Sequence, residues 1–553
     1  MSDLNSTAPE RCAQEEFTRF DLVFGDFLFR RARKGEEALR TLGMNLISAR
    51  RKGDSFIYLS PEQKALLERH RELTDEEEGL LVQEGHKLYL RREFLNEEAA
   101  ARAIAGLLKG PTLSADFTDE EIDRACGKNL NDEQHLAVRN ALTHSFALIS
   151  GGPGTGKSTI IAAVAELECR RNPGSIVRIA APTGKAAELL TGDLKSVLPE
   201  RGLTASTLHT LFKIRLQTNE FGVNEENPLE CNLLIVDECS MVPLNTIANM
   251  FRGLRPGTRV VLAGDHRQLE SVESGAVLSE LLSARETAPE SLLARAGVEL
   301  IENFRSINAP GIQGLARKIR EGKPPEELCA ELASGSAGDV AFLDERADFL
   351  KEMRAAARRC WSELPETASV CSKERVKKAF ARLNSFRVLS ANRVGPEGCV
   401  ELNKMIMKEL ALPSQYVPGA ALMVTQNSSA TGLANGDVGI VFAAPGGGVK
   451  VFFENFERPF APHELPPHEG AFATTVHKAQ GSGFDEVFFL LPREDSPLLT
   501  RELFYTGLTR AKKKITVAGS RKTVTGALGR SSRRRSCLAR RIADFLEDGK
   551  NGL

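Results

Sequence analysis

The sequence lacks the features that mark membrane, secreted and zinc-binding proteins. No apolar run approaches the length of a membrane-spanning helix, and the stretch from Met1 to Thr18 is too polar for a secretory signal. The ten cysteines are scattered, without a C-x-x-C pair or a Cys/His cluster at metal-ligand spacing. These absences predict a cytoplasmic protein with reduced thiols and no membrane partner, and they argue against a zinc site or an iron–sulfur cluster.

The sequence also lacks an excess of either charge. Its 73 basic and 74 acidic residues leave a formal net charge of −1, which excludes a globally basic nucleic-acid binder but allows a local basic channel. A hydrophobic content of 42% is that of an ordinary globular protein. A length of 553 residues favours about three or four domains rather than a single core.

Two long stretches alternate short β-branched runs with helical patterns. The first, residues 116–297, contains runs that predict strands at Ala147–Ile149, Val177–Ala180, Leu233–Val236 and Val260–Ala263. The second, residues 298–553, contains similar runs at Val388–Ser390 and Val487–Leu490. This rhythm predicts two α/β domains, each with a parallel sheet between helices and with ligands at the carboxyl ends of its strands.

The remaining regions have other patterns. Residues 1–115 are mostly helical, with a strand-like piece at Lys87–Leu90 and a helical run over Asn96–Leu108. This region shows no catalytic cluster, so we predict a helical domain that docks a partner. Residues 396–470 are rich in glycine and proline and contain Asn435-Gly436, which favours a hairpin. They predict a small β-barrel-like insertion in the second α/β domain.

One segment carries a phosphate-binding motif between a predicted strand and a predicted helix. In G-x-x-x-x-G-K-[ST], the glycines turn backbone N–H groups around phosphate oxygens, Lys157 reaches the β and γ phosphates, and Ser158 can ligate Mg²⁺. The motif therefore predicts a nucleotide site. Its predicted nucleotide-binding residues are Gly151, Gly152, Pro153, Gly154, Thr155, Gly156, Lys157, Ser158 and Thr159.

Further polar residues suit nucleotide hydrolysis. Asp237 and Glu238 end a buried run; in isolation such a pair more often caps a helix, but after a P-loop it can hold Mg²⁺ and polarise water. Gln268 lies one loop further on, where it can sense the γ-phosphate. Gln134 opens a helix before the P-loop strand and either reads adenine or is an ordinary exposed glutamine.

Residues of the second half complete the predicted site. Arg305 and Arg510 can reach the γ-phosphate from a second domain and stabilise charge in the transition state, although each could also be an ordinary surface arginine. Loops after several strands carry hydroxyls, histidines and lysines that can hold a phosphodiester backbone, and the hydroxyls can also cap helices. The predicted DNA-binding residues are Pro182, Thr183, Lys185, Thr207, His209, Asn435, Thr475, His477 and Lys478.

The order of these elements resembles that of superfamily 1 DNA helicases. LNDEQ, GGPGTGKS, APTGKAA, TLHTLF, VDECSM, GDHRQL, NFRS, TTVHKAQGSGFD and FYTGLTRAKKKI follow one another over about residues 120–520. More narrowly the chain resembles the RecD type, the alpha subunit of exodeoxyribonuclease V. Two departures are Gly483, where relatives often carry a glutamate that could contact ribose, and Cys239, where alanine is usual.

The resemblance implies two RecA-like motor domains with ATP and Mg²⁺ between them and single-stranded DNA across their top. It implies 5′–3′ unwinding of duplex DNA in double-strand break repair and recombination. RecB-like and RecC-like subunits would complete a heterotrimer and carry the nuclease. It also implies that residues 213–229 form a short strand-separating hairpin and that Gly481 contacts the nucleotide.

Two alternative functions remain open from the sequence. A free-standing relative with the same motor typically has a longer N-terminal region with helix-hairpin-helix repeats, which residues 1–120 do not show. An ATP-gated DNA-binding module without hydrolysis conflicts with the presence of the whole predicted hydrolytic set. The basic tail, Arg530–Arg541, could bind DNA, but Leu538 and Ile542 recur at helical spacing and favour a docked amphipathic helix.

Overall fold

The computed structural model describes residues 17–548, apart from positions 76, 115–116, 216–217, 272, 289, 305–308, 336, 345, 429, 455, 457 and 533. Within these described ranges, no helix is both long enough and apolar enough to cross a membrane.

The N-terminal region is a helical domain that includes a small antiparallel sheet. Its elements are α1 (Arg19–Arg31), α2 (Glu37–Arg51), β1 (Phe56–Tyr58), α3 (Pro61–Arg69), β2 (Leu81–Glu84), β3 (Lys87–Leu90) and α4 (Arg91–Leu108). The strand order is β1-β3-β2. Strand β3 coincides with the predicted strand, whereas α4 begins at Arg91, ahead of the predicted Asn96. Strands β1 and β2, of three and four residues, were not predicted.

The next region is built on a six-stranded parallel sheet. Its elements are α5 (Asp119–Cys126), α6 (Asp132–Thr143), β4 (Phe146–Gly151), α7 (Lys157–Arg171), β5 (Val177–Ala181), α8 (Gly184–Val197), β6 (Ala205–Thr207), α9 (Leu208–Leu211), β7 (Leu233–Val236), α10 (Leu244–Arg252), β8 (Arg259–Gly264), α11 (Val277–Thr287), α12 (Leu292–Ala296) and β9 (Gly297–Leu300). The strand order is β6-β5-β7-β8-β4-β9. Strands β4, β7 and β8 are buried along their whole length, as expected for a sheet covered by helices on both faces.

The second half contains a five-stranded parallel sheet with an antiparallel insertion. Its elements are α13 (Pro310–Arg320), α14 (Pro325–Ser334), β10 (Val340–Leu343), α15 (Arg346–Trp361), α16 (Leu364–Thr367), α17 (Lys373–Ser385), β11 (Phe386–Ser390), α18 (Cys399–Glu409), β12 (Ala421–Val424), β13 (Val438–Ala443), β14 (Val449–Phe453), β15 (His468–Gly470), β16 (Ala473–Thr475), β17 (Phe484–Leu490), α19 (Arg501–Leu508), β18 (Ala511–Ala518), α20 (Arg521–Gly529) and α21 (Leu538–Asp548). The parallel sheet has the order β10-β18-β17-β11-β16, and the insertion has the order β14-β13-β12-β15.

This architecture confirms the predicted fold class, with two parallel sheets, a helical N-terminal domain and a small β insertion. Two of the predicted boundaries need correction. Strand β9 pairs in parallel with β4, so the first sheet extends to Leu300, past the predicted boundary at residue 297. The strands of the insertion begin at Ala421 rather than near residue 396, because residues 399–409 form α18.

Residues 530–548, called here the return segment, leave the second sheet and run back to the first half of the chain. Leu538 and Ile542 of α21 are each 1% exposed and pack in one cluster with Ala101 and Ile104 of α4. Burying two such side chains stabilises the contact by about 2 kcal/mol each. The docked amphipathic helix expected from the helical spacing is therefore present, although it packs outside the second motor domain to which residues 298–553 were assigned.

Two arginines of the return segment, Arg541 and Arg534, have partners within the protein. Arg541 lies between two carboxylates, with Nε 3.0 Å from Glu97 and Nη1 2.9 Å from Glu84. Arg534 donates to the carbonyl oxygens of Glu273 and Gly275 at 2.7 and 3.1 Å. These two side chains connect the C-terminal part of the chain to the N-terminal domain and to the loop before α11, so their positions are explained without a contact to DNA.

Candidate active site and nucleic-acid interface

The P-loop connects β4 to α7 at the carboxyl edge of the first sheet. Gly156 has a φ of +90°, which favours glycine, and a Cβ there would lie 2.4 Å from Nε2 of Gln134, so a larger residue would also displace this amide. The Nζ of Lys157 donates to the carbonyl oxygens of Gly151 and Gly152 at 2.6 and 3.2 Å. The ammonium therefore lies within the loop at the N-terminus of α7, where phosphate oxygens are favoured.

Gln134 supports this loop from behind. It is 4% exposed, so the interpretation as an ordinary exposed glutamine is wrong. Its Oε1 accepts a hydrogen bond from the N–H of Asn131 at 3.1 Å, and its Nε2 donates to the carbonyl of Thr155 at 3.0 Å. The amide is thus engaged by the helix cap and by the P-loop, and its contact with adenine stays a prediction.

Asp237 and Glu238 follow β7 at the same edge of the sheet. Burial, and then the carboxylate of Glu238, raise the pKa of Asp237 to about 6, while the Lys157 ammonium opposes the rise. Glu238 has a φ of +50°, a conformation that costs a non-glycine residue on the order of 1 kcal/mol. Among the described residues its buried Oε2 has no hydrogen-bond partner. Two adjacent carboxylates with one orphaned oxygen fit a site that receives a cation and a water molecule.

Arg510 reaches this edge from the second sheet. It is 3% exposed, and its Nη2 donates to Oε1 of Gln268 at 3.0 Å. Its Nε and Nη1 donate to the carbonyls of Thr506 and Ser482 at 3.1 and 3.0 Å. Gln268 in turn donates to Oδ2 of Asp265 at 2.9 Å. A continuous chain of hydrogen bonds therefore links the loop after β8 to helix α19.

These groups border one cleft of about 770 Å³ between the two sheets. Lys157, Ser158, Asp237, Glu238 and Arg510 all line it. The lining also contains Gln134, Pro153, Gly154, Gly156, Thr159 and Gly481 from the predicted nucleotide-binding set. A lysine in a glycine loop, a carboxylate pair and an arginine from a second domain can bind a nucleoside triphosphate with Mg²⁺ and stabilise charge during its hydrolysis.

Arg305 lies outside the described residues. The neighbouring Phe304 lines the cleft, is 42% exposed, and donates its N–H to the carbonyl of Gly154 at 2.9 Å. The sequence motif that contains Arg305 is thus anchored on the P-loop at its preceding residue.

Sequence reasoning missed Phe304, Tyr505 and Lys512. The buried Tyr505 hydroxyl faces the P-loop, since a Cβ on Gly152 would lie 2.9 Å from it; burial and then Asp265 raise the pKa of Tyr505. Lys512 lines the cleft near Arg510. The available signal was its place in the basic run that follows Arg510.

A second cleft, of about 420 Å³, lies between the first sheet and the β insertion. Five of the predicted DNA-binding residues line it: Thr183, Lys185, Asn435, His477 and Lys478. Burial, and then the positive charge of Arg534, lower the pKa of His477, which favours the neutral imidazole. This cleft is lined by the cationic and amide side chains that a nucleic-acid backbone would need.

The other predicted DNA-binding residues lie at neighbouring strand ends. Pro182 precedes Thr183 after β5, and Thr207 ends β6, which pairs beside β5. His209 follows in α9, and Thr475 ends β16. Thr183 and Thr207 also accept hydrogen bonds from the N–H groups of Ala186 and Thr210, so their capping role is present as well.

Residues 213–229 include a short hairpin. Ile214 and Phe221 form an antiparallel bridge, and the N–H of Arg215 donates to the carbonyl of Glu220 at 2.9 Å. Val223 is 4% exposed and packs in the core of the first sheet's domain. The hairpin therefore has an anchored base, and its strand-separating role stays a prediction.

Comparison with known proteins matches both halves of the chain. Residues 129–338 match a family described as an AAA domain, and residues 470–518 match the UvrD-like helicase C-terminal domain. The RecBCD enzyme subunit RecD of Mycolicibacterium smegmatis is 34% identical over 479 residues, covering 83% of this chain and 82% of that protein. The RecD subunit of Haemophilus influenzae is 31% identical over 533 residues, covering 83% and 80%. The ATP-dependent RecD2 DNA helicase of Deinococcus radiodurans is 30% identical over 467 residues, covering 82% of this chain but 58% of that helicase.

Proposed function

The chain belongs to the RecD family, and on that premise we propose that it is the ATP-dependent 5′–3′ DNA helicase subunit of a RecBCD-type complex. It unwinds duplex DNA in double-strand break repair and recombination. The observation that carries this function is the hydrogen bond from Arg510 to Gln268 beside the cleft that holds Lys157 and Glu238. An arginine that crosses between two motor domains couples hydrolysis to their relative movement.

Residues of the P-loop, the carboxylate pair and Arg510 carry out ATP hydrolysis. Lys157 and the P-loop N–H groups bind the phosphates of ATP, and Arg510 stabilises charge as the terminal phosphate leaves. Ser158 and Asp237 would hold Mg²⁺, which neutralises phosphate charge when bound. Glu238 orients the attacking water and accepts its proton through the buried Oε2, which has no hydrogen-bond partner in the described part of the chain. Gln268, held by Asp265, reports the state of the cleft to α19.

Single-stranded DNA lies in the second cleft in this proposal, and duplex DNA is split where the hairpin meets it. Contacts made through lysines, hydroxyls and loop amides to the DNA backbone predict sequence-tolerant binding that weakens steeply with salt.

RecB-like and RecC-like subunits complete the heterotrimer, and residues 17–108 provide its docking domain. The chain is 34% identical to the RecD subunit of Mycolicibacterium smegmatis and 30% identical to the RecD2 helicase, which favours the subunit over the free-standing motor. The cytoplasm, where chromosomal DNA lies, is the proposed compartment.

The experiment that tests the motor is ATP hydrolysis with and without single-stranded DNA. We expect DNA to stimulate the wild-type rate at least about tenfold and Lys157→Gln to lose at least about 100-fold. Lys351→Gln, on the exposed face of α15, is the matched control and should behave as the wild type. Equal wild-type rates with and without DNA would contradict the helicase function.

The subunit assignment is tested by co-purification from native cell extract. Recovery of the chain with two large proteins supports the heterotrimer. Recovery of the chain by itself, with full DNA-stimulated hydrolysis, would instead support a free-standing motor.

A further inference from the structure

Each of the two lysines proposed to contact DNA already has an anionic partner. The Nζ of Lys185 lies 2.8 Å from Oε2 of Glu454, and the Nζ of Lys478 donates to Oε1 of Glu469 at 2.9 Å. Glu454 follows β14 and Glu469 lies in β15, so both carboxylates come from the β insertion. Glu454 thus lines the cleft whose lysines would bind phosphates, and Glu469 pairs with Lys478 of that lining.

Other contacts hold these carboxylates in place. The Nδ2 of Asn384 donates to Oε1 of Glu454 at 3.3 Å, and the Nε of Arg393 donates to Oε2 of Glu469 at 2.9 Å. The insertion also packs closely on the Lys185 loop, because a Cβ on Gly184 would lie 3.6 Å from the Cβ of Ala434. The two pairs are therefore positioned by the fold of the insertion.

The acidic residues near Lys185 carry more negative charge than its single ammonium group can neutralise. Glu188 lies 3.5 Å from its Nζ, and burial raises the pKa of Glu188, with Lys185 opposing the rise and Glu454 adding to it. Burial also raises the pKa of Asp437, again with Lys185 opposing. An entering phosphate would add one more anion to this group. A phosphate therefore binds Lys185 more favourably once Glu454 has moved away.

We propose that Glu454 and Glu469 are internal counterions that occupy Lys185 and Lys478 until the phosphates of a DNA strand displace them. The proposal rests on the DNA-binding function proposed above for these lysines. The side chains of both pairs are partly exposed, 29% and 35% in one pair and 24% and 17% in the other, and pairs of this kind are weak enough to exchange.

The geometry selects for an extended polyanion. A DNA strand carries a phosphate at every nucleotide and can replace both carboxylates in one binding event, whereas an isolated anion replaces a single carboxylate. Displacing the two carboxylates costs free energy, so the DNA affinity is lower than two unpaired lysines would give. The insertion therefore sets how tightly the motor holds its strand.

The exchange has a distinct salt signature. Binding of a lysine to single-stranded DNA releases about 0.7 counterion per phosphate. In the wild type each displaced carboxylate attracts cations from solution, so the net number of cations released on DNA binding is smaller. Replacing both carboxylates by neutral amides should steepen the slope of log Kobs against log salt by up to about 1.

The test uses the full-length chain, a labelled oligothymidylate of about twenty nucleotides, and fluorescence anisotropy over a range of NaCl concentrations. The variant is Glu454→Gln with Glu469→Gln, which keeps side-chain size. We expect it to bind about five- to tenfold more tightly near 0.1 M salt and to show the steeper slope. Glu401→Gln is the control, because Glu401 pairs with Lys404 on α18, away from both clefts.

Two further variants separate the possible outcomes. Glu454→Gln should lose its effect when combined with Lys185→Gln, because the ion pair is then already absent; a persistent effect would overturn the proposal. Unchanged affinity, or tighter binding with an unchanged slope, would overturn it as well. If the double variant unfolds, each single variant should give about half of the change in slope, and the absence of that change again overturns it. A wild type that does not bind the oligonucleotide contradicts the proposed function itself.

Discussion

The guanidinium of Arg510 donates a hydrogen bond of 3.0 Å to the side-chain oxygen of Gln268, a residue 242 positions earlier in the chain. Gln268 lies in the loop after β8 of the first sheet, and Arg510 immediately precedes β18 in the second. The contact is buried and charge-assisted, a class of hydrogen bond about twice as strong as a neutral one. The two motor domains are therefore joined at the point where hydrolysis would change the charge.

The Arg510–Gln268 contact should act as one unit. Arg510→Lys keeps the charge but loses the planar group that serves Gln268, Thr506 and Ser482 together. We expect kcat of DNA-stimulated ATP hydrolysis to fall about 100-fold in this variant and in Gln268→Ala. The double variant should be little worse than either single one. Steady-state kinetics measure this, and multiplicative losses would show that the two residues act independently.

Glu238→Gln should separate nucleotide binding from hydrolysis. The variant keeps the shape of the side chain but removes the base, so kcat should fall at least about 100-fold while ATP still binds. It also removes the like-charge neighbour that raises the pKa of Asp237, so ATP-free protein should unfold at a higher temperature. Nucleotide titration and thermal unfolding measure the two effects, with the exposed Glu326→Gln as control. Loss of binding together with hydrolysis would contradict this division of roles.

The hairpin should matter for strand separation and not for movement along single strands. Replacing residues 215–220 by two glycines shortens the connection between Ile214 and Phe221 but keeps these two residues and the buried Val223. We expect unwinding of a forked duplex to fall at least about tenfold. ATP hydrolysis stimulated by single-stranded DNA should stay within about twofold of the wild type. Unwinding that survives this change would refute the strand-separating role.

Glu280 should make stability depend on pH. Burial, and then the carboxylate of Glu97, raise its pKa from 4.5 to about 7, while the N–H of Ala539 and the hydroxyl of Ser536 oppose the rise. Because the folded pKa lies above the unfolded one, the contribution of the protonated group is complete below about pH 4.5. It is lost as the pH rises through 7.

The matching variant is Glu280→Gln, which imitates the protonated form. We expect the free energy of unfolding to change little at pH 5 and to rise by about 1–3 kcal/mol at pH 8. Denaturant titration at the two pH values measures the difference. An equal effect at both values would contradict the assigned pKa shift.

Local sequence patterns predicted much of this fold, because the burial of a strand and the conformation of a turn depend on residues that are close in sequence. The strands at Leu233–Val236 and Val260–Ala263 are apolar runs bounded by polar loops, and such runs form buried parallel strands. The glycine loop can likewise be predicted from the sequence, since the positive φ at Gly156 favours glycine. The relative order of the motifs then indicated that both halves share one nucleotide cleft.

The pairing of distant side chains could not be predicted in the same way. The helical spacing in α21 indicates an amphipathic helix, but it does not identify Glu97 and Glu84 as the partners of Arg541. The partners of Lys185 and Lys478 lie in an insertion whose placement depends on the whole second sheet. The topology of the whole chain determines such long-range pairs. An apolar repeat of 2 or 3.6 residues indicates a strand or a helix but does not identify its partners.

The return segment has a consequence for the chain during its synthesis. Helix α21 is made about 430 residues after α4, the helix that it covers. At ribosomal rates of roughly 5–20 residues per second, this delay is on the order of a minute. Throughout that time the nascent chain carries the uncovered apolar side of α4, a surface that chaperones can bind. The N-terminal domain is therefore translated first but completed only after both motor domains have emerged.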